Sequence, residues 1–153
     1  MKAKQLVVAL VAVAAVSAFA MEMKPENLIR FRQSGYTFMA WNMGRIKAQL
    51  EGPTYDKSEV VAAANVVSAI ANSGMGALFA PGTDKGSGWH ETKAKAALFS
   101  DHEAVGKVAG EFRTQATELA KVAAEGDKAA VKAQFEKVGQ SCKSCHEKFK
   151  VKD

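Results

Sequence analysis

Apolar residues recur every three or four positions through most of the chain, which is the period of an amphipathic α-helix. Towards the N-terminus the positions at this spacing are Ile29, Arg32, Tyr36, Met39, Met43, Ile46 and Leu50, among which Arg32 is charged. Towards the C-terminus they are Val131, Phe135, Val138, Cys142, Cys145 and Phe149. Alternation with a period of two, which is typical of strands, is not sustained in the sequence. The pattern predicts an all-α domain whose helices pack along these two seams.

Start and stop signals divide the pattern into four helices, at about residues 25–50, 57–73, 101–124 and 127–150. The start signals are Pro25, suited to a first turn, and two pairs that resemble capping boxes, Asp56/Glu59 and Ser100/Glu103. The stop signals are Gly52-Pro53, Gly74 and Gly126. Because most connections are short, we expect an antiparallel up-down-up-down four-helix bundle. The segment 74–99 is expected to be irregular.

The first 20 residues have the organisation of a secretory signal peptide. Lys2 and Lys4 precede an apolar run over residues 6–19, and Ala18-Phe19-Ala20 offers small residues to a signal peptidase. A membrane anchor is the alternative, but the run is shorter than the ~20 residues that a spanning helix needs. We therefore expect cleavage after Ala20, an exported domain over residues 21–153, and no membrane insertion of the mature protein.

The charge of the chain is mild and excludes some classes of partner. There are 21 Lys and Arg against 16 Asp and Glu, a net charge of +5. Removal of residues 1–20 takes away two lysines and leaves a net charge of +3. Basic residues do not cluster with aromatic ones, so nucleic acid is not an expected partner. No nucleophile–base pair or carboxylate dyad stands out, and we do not expect an enzyme.

The sequence Cys142-Lys143-Ser144-Cys145-His146 fits the motif for covalent attachment of a c-type haem. On a helix, two thiols three residues apart point the same way and can add to the two vinyl groups of one porphyrin edge. The histidine that follows can then present a neutral imidazole nitrogen to the iron. We therefore predict one covalent haem c per chain, attached by Cys142 and Cys145 and ligated by His146.

Three other uses of the cysteine pair are weaker. A disulfide between residues three apart would close a tiny loop and constrain the unfolded chain little. A zinc site needs four ligands, and only His90 and His102, without ligand spacing, are left to complete one. A thioredoxin-like redox site normally stands in a βαβ unit, which the helical pattern does not provide.

Arg32 and two methionines occupy seam positions of the first helix, and their chemistry leaves alternatives open. A buried guanidinium is costly unless it is paired. The head of Arg32 either reaches water at the end of its long stem or binds a haem propionate through its planar fork. Met39 and Met43 either fill the core or offer a thioether as a sixth iron ligand.

Together these features resemble the cytochromes c′, the class II c-type cytochromes. As in that family, the haem motif lies on the last helix of an exported four-helix bundle. The resemblance covers essentially the whole mature chain. It includes Lys24-Pro25-Glu26, Arg32-Gln33-Ser34, Ala80-Pro81-Gly82-Thr83 and Gly139-Gln140-Ser141.

The resemblance implies a five-coordinate, high-spin haem with His146 as its only protein ligand and Tyr36 blocking the opposite face. It also implies that Arg32 and Gln33 meet the propionates and that Ser87 lies near the haem edge. By the same resemblance we expect a periplasmic homodimer, formed through the first two helices. This protein would bind the gases NO and CO and exchange electrons with redox partner proteins.

Two positions depart from the common pattern of the family. Many relatives have an apolar residue at the position of Tyr36, whose phenol either crowds the pocket or donates a hydrogen bond to a bound ligand. Relatives commonly have Arg where this chain has Lys150, which lacks the planar fork. The alternative function is a six-coordinate, low-spin electron carrier in which Met39 or Met43 completes the iron coordination.

Overall fold

The computed structural model describes residues 23–152 of the chain. Its helices are α1 (Pro25–Glu51), α2 (Lys57–Ala71), the short α3 (Ala97–Ser100), α4 (His102–Glu125) and α5 (Lys128–Phe149). A 3₁₀ turn, Met75–Leu78, lies between α2 and α3. The long helices agree with the predicted bounds to within one residue, except that α2 ends at Ala71, two residues early. The predicted signal peptide over residues 1–20 lies outside the described residues.

Aspartate side chains cap the N-termini of the long helices that follow α1. Asp56 Oδ1 accepts hydrogen bonds from the backbone N–H groups of Ser58 at 2.8 Å and Glu59 at 3.2 Å. Asp127 Oδ1 accepts one from the Ala130 N–H group at 2.8 Å and so begins α5. These bonds satisfy donors that the first helical turn leaves without partners.

The predicted capping box of Ser100 and Glu103 is wrong. Asp101 is the N-cap of α4, and its Oδ1 accepts a hydrogen bond from the Ala104 N–H group at 3.0 Å. Ser100 is instead the last residue of α3. Because an N-cap residue needs a non-helical backbone, the residue after α3 takes this role.

The long helices pack in chain order, α1 on α2, α2 on α4 and α4 on α5. The core between them is aliphatic, and its fully buried members include Ile46, Val60, Leu119, Val131 and Val138. Burial of one such side chain contributes about 1.5–3 kcal/mol, so this core stabilises the bundle. The predicted four-helix bundle is confirmed. Helices α1 and α5 make only sparse contact, so the bundle is open along that side.

The segment between α2 and α4 lies against α1 and α5, the two helices that border this open side. The Lys95 N–H group donates to the Phe149 carbonyl at 2.8 Å, next to the end of α5. At Gly88 the same segment lies so close to α1 that a Cβ atom would be 2.6 Å from the Arg30 backbone nitrogen. Only glycine permits this approach without a backbone shift. The segment therefore spans from α1 to the C-terminal end of α5.

Candidate functional site

Both cysteines lie on α5, one turn apart and partly buried, and their thiols are free. Burial raises the pKa of each thiol, and the neighbouring Cys145 raises that of Cys142 further. Both thiols are therefore protonated near neutral pH. The disulfide alternative does not occur in this structure. Within residues 23–152, no group of three or more His, Cys, Asp and Glu side chains is arranged to hold a metal ion.

His146 follows Cys145 in the last turn of α5. Partial burial lowers the pKa of its imidazole, and the positive charge of Lys150 lowers it further. A neutral imidazole has an unprotonated ring nitrogen, the form that ligates a metal. The Lys150 N–H group donates to the His146 carbonyl at 3.0 Å and so continues the helical bonding beyond this residue. The candidate ligand therefore stands on regular helical backbone.

Tyr36 of α1 lies near enough to the two thiols to interact with them electrostatically across the open side of the bundle. Its pKa is raised to about 12, first because its hydroxyl is poorly hydrated and then through Cys145 and Cys142. The ring is nevertheless 42% exposed, whereas its seam neighbour Met39 is buried. The side chain of Tyr36 therefore lies at the opening between α1 and α5 and not in the aliphatic core.

Arg32 is only 4% exposed, and its two terminal nitrogens donate hydrogen bonds to the segment between α2 and α4. Nη1 donates to Thr83 Oγ1 at 2.7 Å and to the Leu78 carbonyl at 3.3 Å. Nη2 donates to the Thr83 carbonyl at 2.5 Å and to Thr92 Oγ1 at 2.6 Å. The head of Arg32 is thus bonded inside the protein and does not extend into water. All four acceptors are uncharged oxygens, and burial lowers the pKa of the guanidinium.

Gln33, the next residue of α1, binds the same segment further along the chain. Its Nε2 donates to the His90 carbonyl at 2.9 Å, and its Oε1 accepts from the Trp89 N–H group at 2.7 Å. Ser87 is exposed in this segment and forms an isolated bridge with Glu91. The structure therefore brings the stretch around Ser87 against the N-terminal half of α1.

Met39 and Met43 lie in the core. Met39 is buried in a cluster with Val67, Ala71 and Ala116 of α2 and α4. Met43 is partly buried and packs against this cluster and against the larger one around Ile46. Both thioethers therefore fill space between α1 and its helical neighbours, in the way flexible methionine side chains commonly do.

Two aromatic residues that the sequence pattern did not single out complete the surroundings of Tyr36. The ring centroid of Phe79 lies 6.3 Å from that of Tyr36 and 6.3 Å from that of Phe99. The guanidinium carbon of Arg32 lies 4.9 Å from the Phe79 centroid. Phe79 follows the 3₁₀ turn and Phe99 lies in the short helix α3, and no periodicity relates either of them to α1. The nearby Ala80-Pro81-Gly82-Thr83 motif was the only signal, and it came from resemblance.

The side chains at the opening fit a c-type haem. Two protonated thiols and a neutral imidazole stand within residues 142–146, which is the donor set that this group requires. Tyr36 presents an aromatic ring opposite them. Arg32 is a buried cation whose hydrogen bonds all go to neutral oxygens; burial lowers its pKa, and the nearby carboxylate of Asp84 raises it in part. A haem propionate would be a second carboxylate to offset its charge.

Comparisons with known proteins by sequence and by structure lead to the same family. The family model described as Cytochrome C′ matches residues 27–150. Cytochrome c′ of Rhodocyclus tenuis is 58% identical over 130 residues, which are 85% of this chain and 98% of that protein.

Solved structures agree with this result. A cytochrome c′ described as having an unusual ligand-controlled dimer dissociation is 56% identical, with a TM-score of 0.81, and the match covers 85% of this chain and 98% of that one. A variant of the cytochrome c′ of Alcaligenes xylosoxidans, solved in the ferrous state with bound NO, is 31% identical. Its TM-score is 0.75, and the match covers 85% of this chain and 98% of that one.

Proposed function

Because the chain belongs to the cytochrome c′ family, we propose that it is a periplasmic haem protein that binds NO and CO at a five-coordinate, high-spin iron. Proteins of this family carry a covalent c-type haem and act as electron carriers or gas-binding proteins, not as classical enzymes. The observation that carries the proposal is that Tyr36 of α1 lies near enough to Cys142 and Cys145 to interact with them electrostatically, while Met39 and Met43 pack into the core. A phenol with a pKa of about 12 stays protonated and is a poor iron ligand.

The residues of the opening have distinct roles in this proposal. Cys142 and Cys145 would hold the haem through thioether bonds, and His146 would ligate the iron. When bound, the haem supplies an iron with one coordination position open to a diatomic gas. Tyr36 would limit access to that position, and its hydroxyl can donate a hydrogen bond to a bound ligand. Conversion of the thiols to uncharged thioethers would leave burial as the main cause of the raised Tyr36 pKa.

Three further residues are assigned to the rim of the haem site. We place the propionates near Arg32 and Gln33 on α1, and the haem edge near Ser87. Support comes from the hydrogen bonds of Gln33 to His90 and Trp89, which hold the stretch around Ser87 against α1. The buried charge of Arg32 supports the same arrangement, because a propionate nearby would offset it.

The burial of Met39 and Met43 favours the five-coordinate state over the six-coordinate alternative. Met39 packs towards α2 and α4, and Met43 packs against the aliphatic core that Cys142 also contacts, whereas Tyr36 lies at the open side near both thiols. Either thioether would have to leave the core to ligate the iron, and the cavity left behind would cost stability. Electron exchange with redox partner proteins remains compatible with the five-coordinate state.

A homodimer through α1 and α2 is part of the proposal. Phe31, Phe38 and Trp41 are each about half exposed along one stripe of α1. The rings of Phe38 and Trp41 stack with centroids 5.4 Å apart. Exposed aromatic stripes of this kind are typical of protein–protein contacts.

The periplasmic location is supported by the predicted signal peptide and by the family. Among residues 23–152 no helix combines the length and the apolar character needed to cross a membrane. Residues 1–20 have the features of an export signal, which agrees with two-thiol haem attachment in an exported protein.

Optical spectra of the purified protein test the proposed function directly. They should be recorded for the oxidised protein, the reduced protein, and the reduced protein under CO. We expect a high-spin spectrum that changes when CO is added. A low-spin spectrum that does not respond to CO would contradict the proposal, since it would require a sixth protein ligand.

Covalent attachment is tested by replacing Cys142 and Cys145 together with Ala and staining a denaturing gel for haem. The variant should lose the stain, because no thioether bond can form. Ser144→Ala, at a residue between the two cysteines, is the matched control and should keep the stain. Stain retained in the double variant would rule out attachment through these thiols.

A further inference from the structure

Arg32 connects α1 to three points of the segment between α2 and α4. We define the Arg32 clamp as this residue with its acceptors Leu78, Thr83 and Thr92. The acceptors lie 46 to 60 residues further along the chain, so the clamp is a tertiary contact and not a local turn. Thr83 is fully buried and is bonded through both its hydroxyl and its carbonyl oxygen. Four hydrogen bonds from one buried cation hold the segment in a single position.

The clamp uses most of the donors of the guanidinium. Arginine has five N–H groups, and the bonds to Thr83, Leu78 and Thr92 come from both terminal nitrogens. Only the Nε–H group lies outside these bonds, so Arg32 cannot present its two-pronged edge to a propionate while the clamp is closed. In this arrangement Arg32 mainly holds the segment between α2 and α4 against α1, and its charge can still attract a nearby carboxylate.

The face of the same guanidinium contacts the aromatic rings that lead to Tyr36. Its carbon lies 4.9 Å from the Phe79 centroid and 6.0 Å from the Phe99 centroid. Phe79 in turn lies against Tyr36 at an interplanar angle of 59°. Phe79 follows Leu78 and precedes Thr83, so it sits between two anchor points of the clamp. If the clamp opens, Phe79 loses both its backbone anchors and its cation–π partner.

We propose that Arg32 is a positioning residue for gas binding: through the clamp it fixes Phe79 beside Tyr36 and so limits the movement of Tyr36 away from the iron. This inference rests on the proposed function, because it assumes that Tyr36 limits access to the iron. The role depends on the planar fork, which serves several acceptors at once, and not on the positive charge alone.

Arg32→Lys and Thr83→Val test this role in the haem-loaded protein. Lysine keeps the charge but cannot bond to all the acceptors, and valine removes the hydroxyl while leaving Arg32 in place. Loss of a hydrogen bond to a charged group changes a local equilibrium by about tenfold, so CO association should become about three to ten times faster. Thr92→Val, at a less buried acceptor, is a milder variant in case Thr83→Val does not fold.

Amide hydrogen exchange gives a readout that does not depend on gas binding. The Gly88 N–H group bonds to the His90 carbonyl at 3.0 Å, and the Thr92 N–H group bonds to the Gly86 carbonyl at 2.9 Å. Both amides lie in the segment that the clamp holds, and both should exchange faster in the variants. Amides in the core of α2 and α4 should be unaffected.

Arg45→Lys is the matched control. Arg45 is also on α1, lies 4.9 Å above the Trp41 ring, and bonds to Glu59 and Asn42, but it is remote from Tyr36 in the helix. Arg45→Lys should leave both CO association and the hydrogen exchange of the Gly88 and Thr92 amides unchanged.

Two results would separate failure of the clamp from failure of the proposed function. Haem-loaded Arg32→Lys and Thr83→Val proteins with wild-type CO association and wild-type loop exchange would overturn the clamp alone. A wild-type protein without covalent haem would overturn the proposed function and the gas-binding role of Arg32 with it. A change in haem potential in Arg32→Gln but not in Arg32→Lys, with no change in CO kinetics, would assign Arg32 to the propionates only.

Discussion

At the residue scale, Tyr36 combines two properties that act on different rate constants. In the proposed haem site, the bulk of the ring would oppose the approach of a ligand and would therefore slow association. The hydroxyl, whose pKa burial raises above its ordinary value, stays protonated near neutral pH. It could donate a hydrogen bond to a ligand already bound, which would slow dissociation. An apolar residue at this position would have only the first effect. The two properties can therefore be separated by substitution.

Tyr36→Ala and Tyr36→Phe should have different effects on CO binding. Removal of the ring should speed CO association about tenfold or more, which corresponds to about 1.4 kcal/mol of lost steric cost. Tyr36→Phe keeps the ring and should leave association within about twofold of wild type, whereas dissociation should become faster if the hydroxyl bonds to the ligand. Flash photolysis of the CO complex measures the first rate, and ligand replacement by NO measures the second. Unchanged association in Tyr36→Ala would mean that this ring does not cover the iron.

The residues that could be predicted from the sequence are those whose chemistry is local. Cys142, Cys145 and His146 lie within one helical turn or two, so their spacing alone indicates a haem motif. The partners of Arg32 could not be found in this way. Thr83 and Thr92 lie 51 and 60 residues away in a segment without periodicity, and their hydroxyls have no distinctive spacing. Only the cost of burying a charge indicated that Arg32 needed partners.

At the element scale, the helices could be predicted because their period, caps and stop residues are encoded within a few positions. The errors fall where two cap candidates compete. Ser100 and Asp101 are adjacent, and the choice between them depends on the short helix α3, whose four residues give too weak a pattern to detect. The position of the long segment on α1 was not predictable, since it depends on the close approach of Gly88 to Arg30.

The N-cap of α2 makes a pH-dependent contribution to stability. The pKa of Asp56 is lowered, first by the hydrogen bond from the Ser58 side chain and then by the Glu59 and Ser58 N–H groups. Because the folded pKa lies below the unfolded one, the contribution is present above the unfolded value of 3.8 and is lost as the pH falls through the folded value.

Asp56→Asn keeps an acceptor oxygen at the cap but removes the titration. The variant should be less stable than wild type at pH 7. The difference should be smaller at pH 3, below the unfolded pKa of 3.8, and should shrink further as Asp56 is protonated. Urea unfolding of the haem-loaded proteins, followed by far-UV circular dichroism at both pH values, measures it. Glu118→Gln, at an exposed carboxylate within α4, is the control. A stability difference independent of pH would show that the charge of Asp56 has no part in the cap.

At the scale of the whole molecule, α1 serves two surfaces. Its inner seam contains Tyr36 and Arg32 at the proposed haem site, whereas Phe31, Phe38 and Trp41 lie half exposed on an outer stripe. A cavity of about 510 Å³ lies on this outer side, between Phe38, Trp41 and Trp89. The spacing of apolar residues every three or four positions indicates the inner seam only, because exposed aromatic residues on a helix do not follow a regular spacing. The resemblance alone suggested that this helix forms a dimer.

Phe38→Lys should convert the proposed homodimer into a monomer. The substitution places a charge next to the Trp41 ring in the middle of the stripe, and an unpaired charge in a buried contact is costly. Loss of about 1.5–3 kcal/mol for one buried aromatic side chain would weaken dimerisation at least about tenfold. Sedimentation velocity over a range of protein concentrations measures it. Val151→Lys, at an exposed apolar residue beyond α5, is the matched control and should remain dimeric.

The same experiment under CO tests whether the two surfaces of α1 are coupled. One relative is described as having ligand-controlled dimer dissociation. If displacement of Tyr36 disturbs the outer stripe of α1, CO must bind the monomer more tightly than the dimer. By linkage, saturating CO must then weaken the dimer by the square of that affinity ratio, because the dimer has two CO sites. We therefore expect the wild-type dimer to dissociate at higher protein concentration under CO, and the Phe38→Lys monomer to bind CO more tightly than wild type. Equal CO affinity in dimer and monomer would mean that α1 does not transmit ligand binding to the dimer contact.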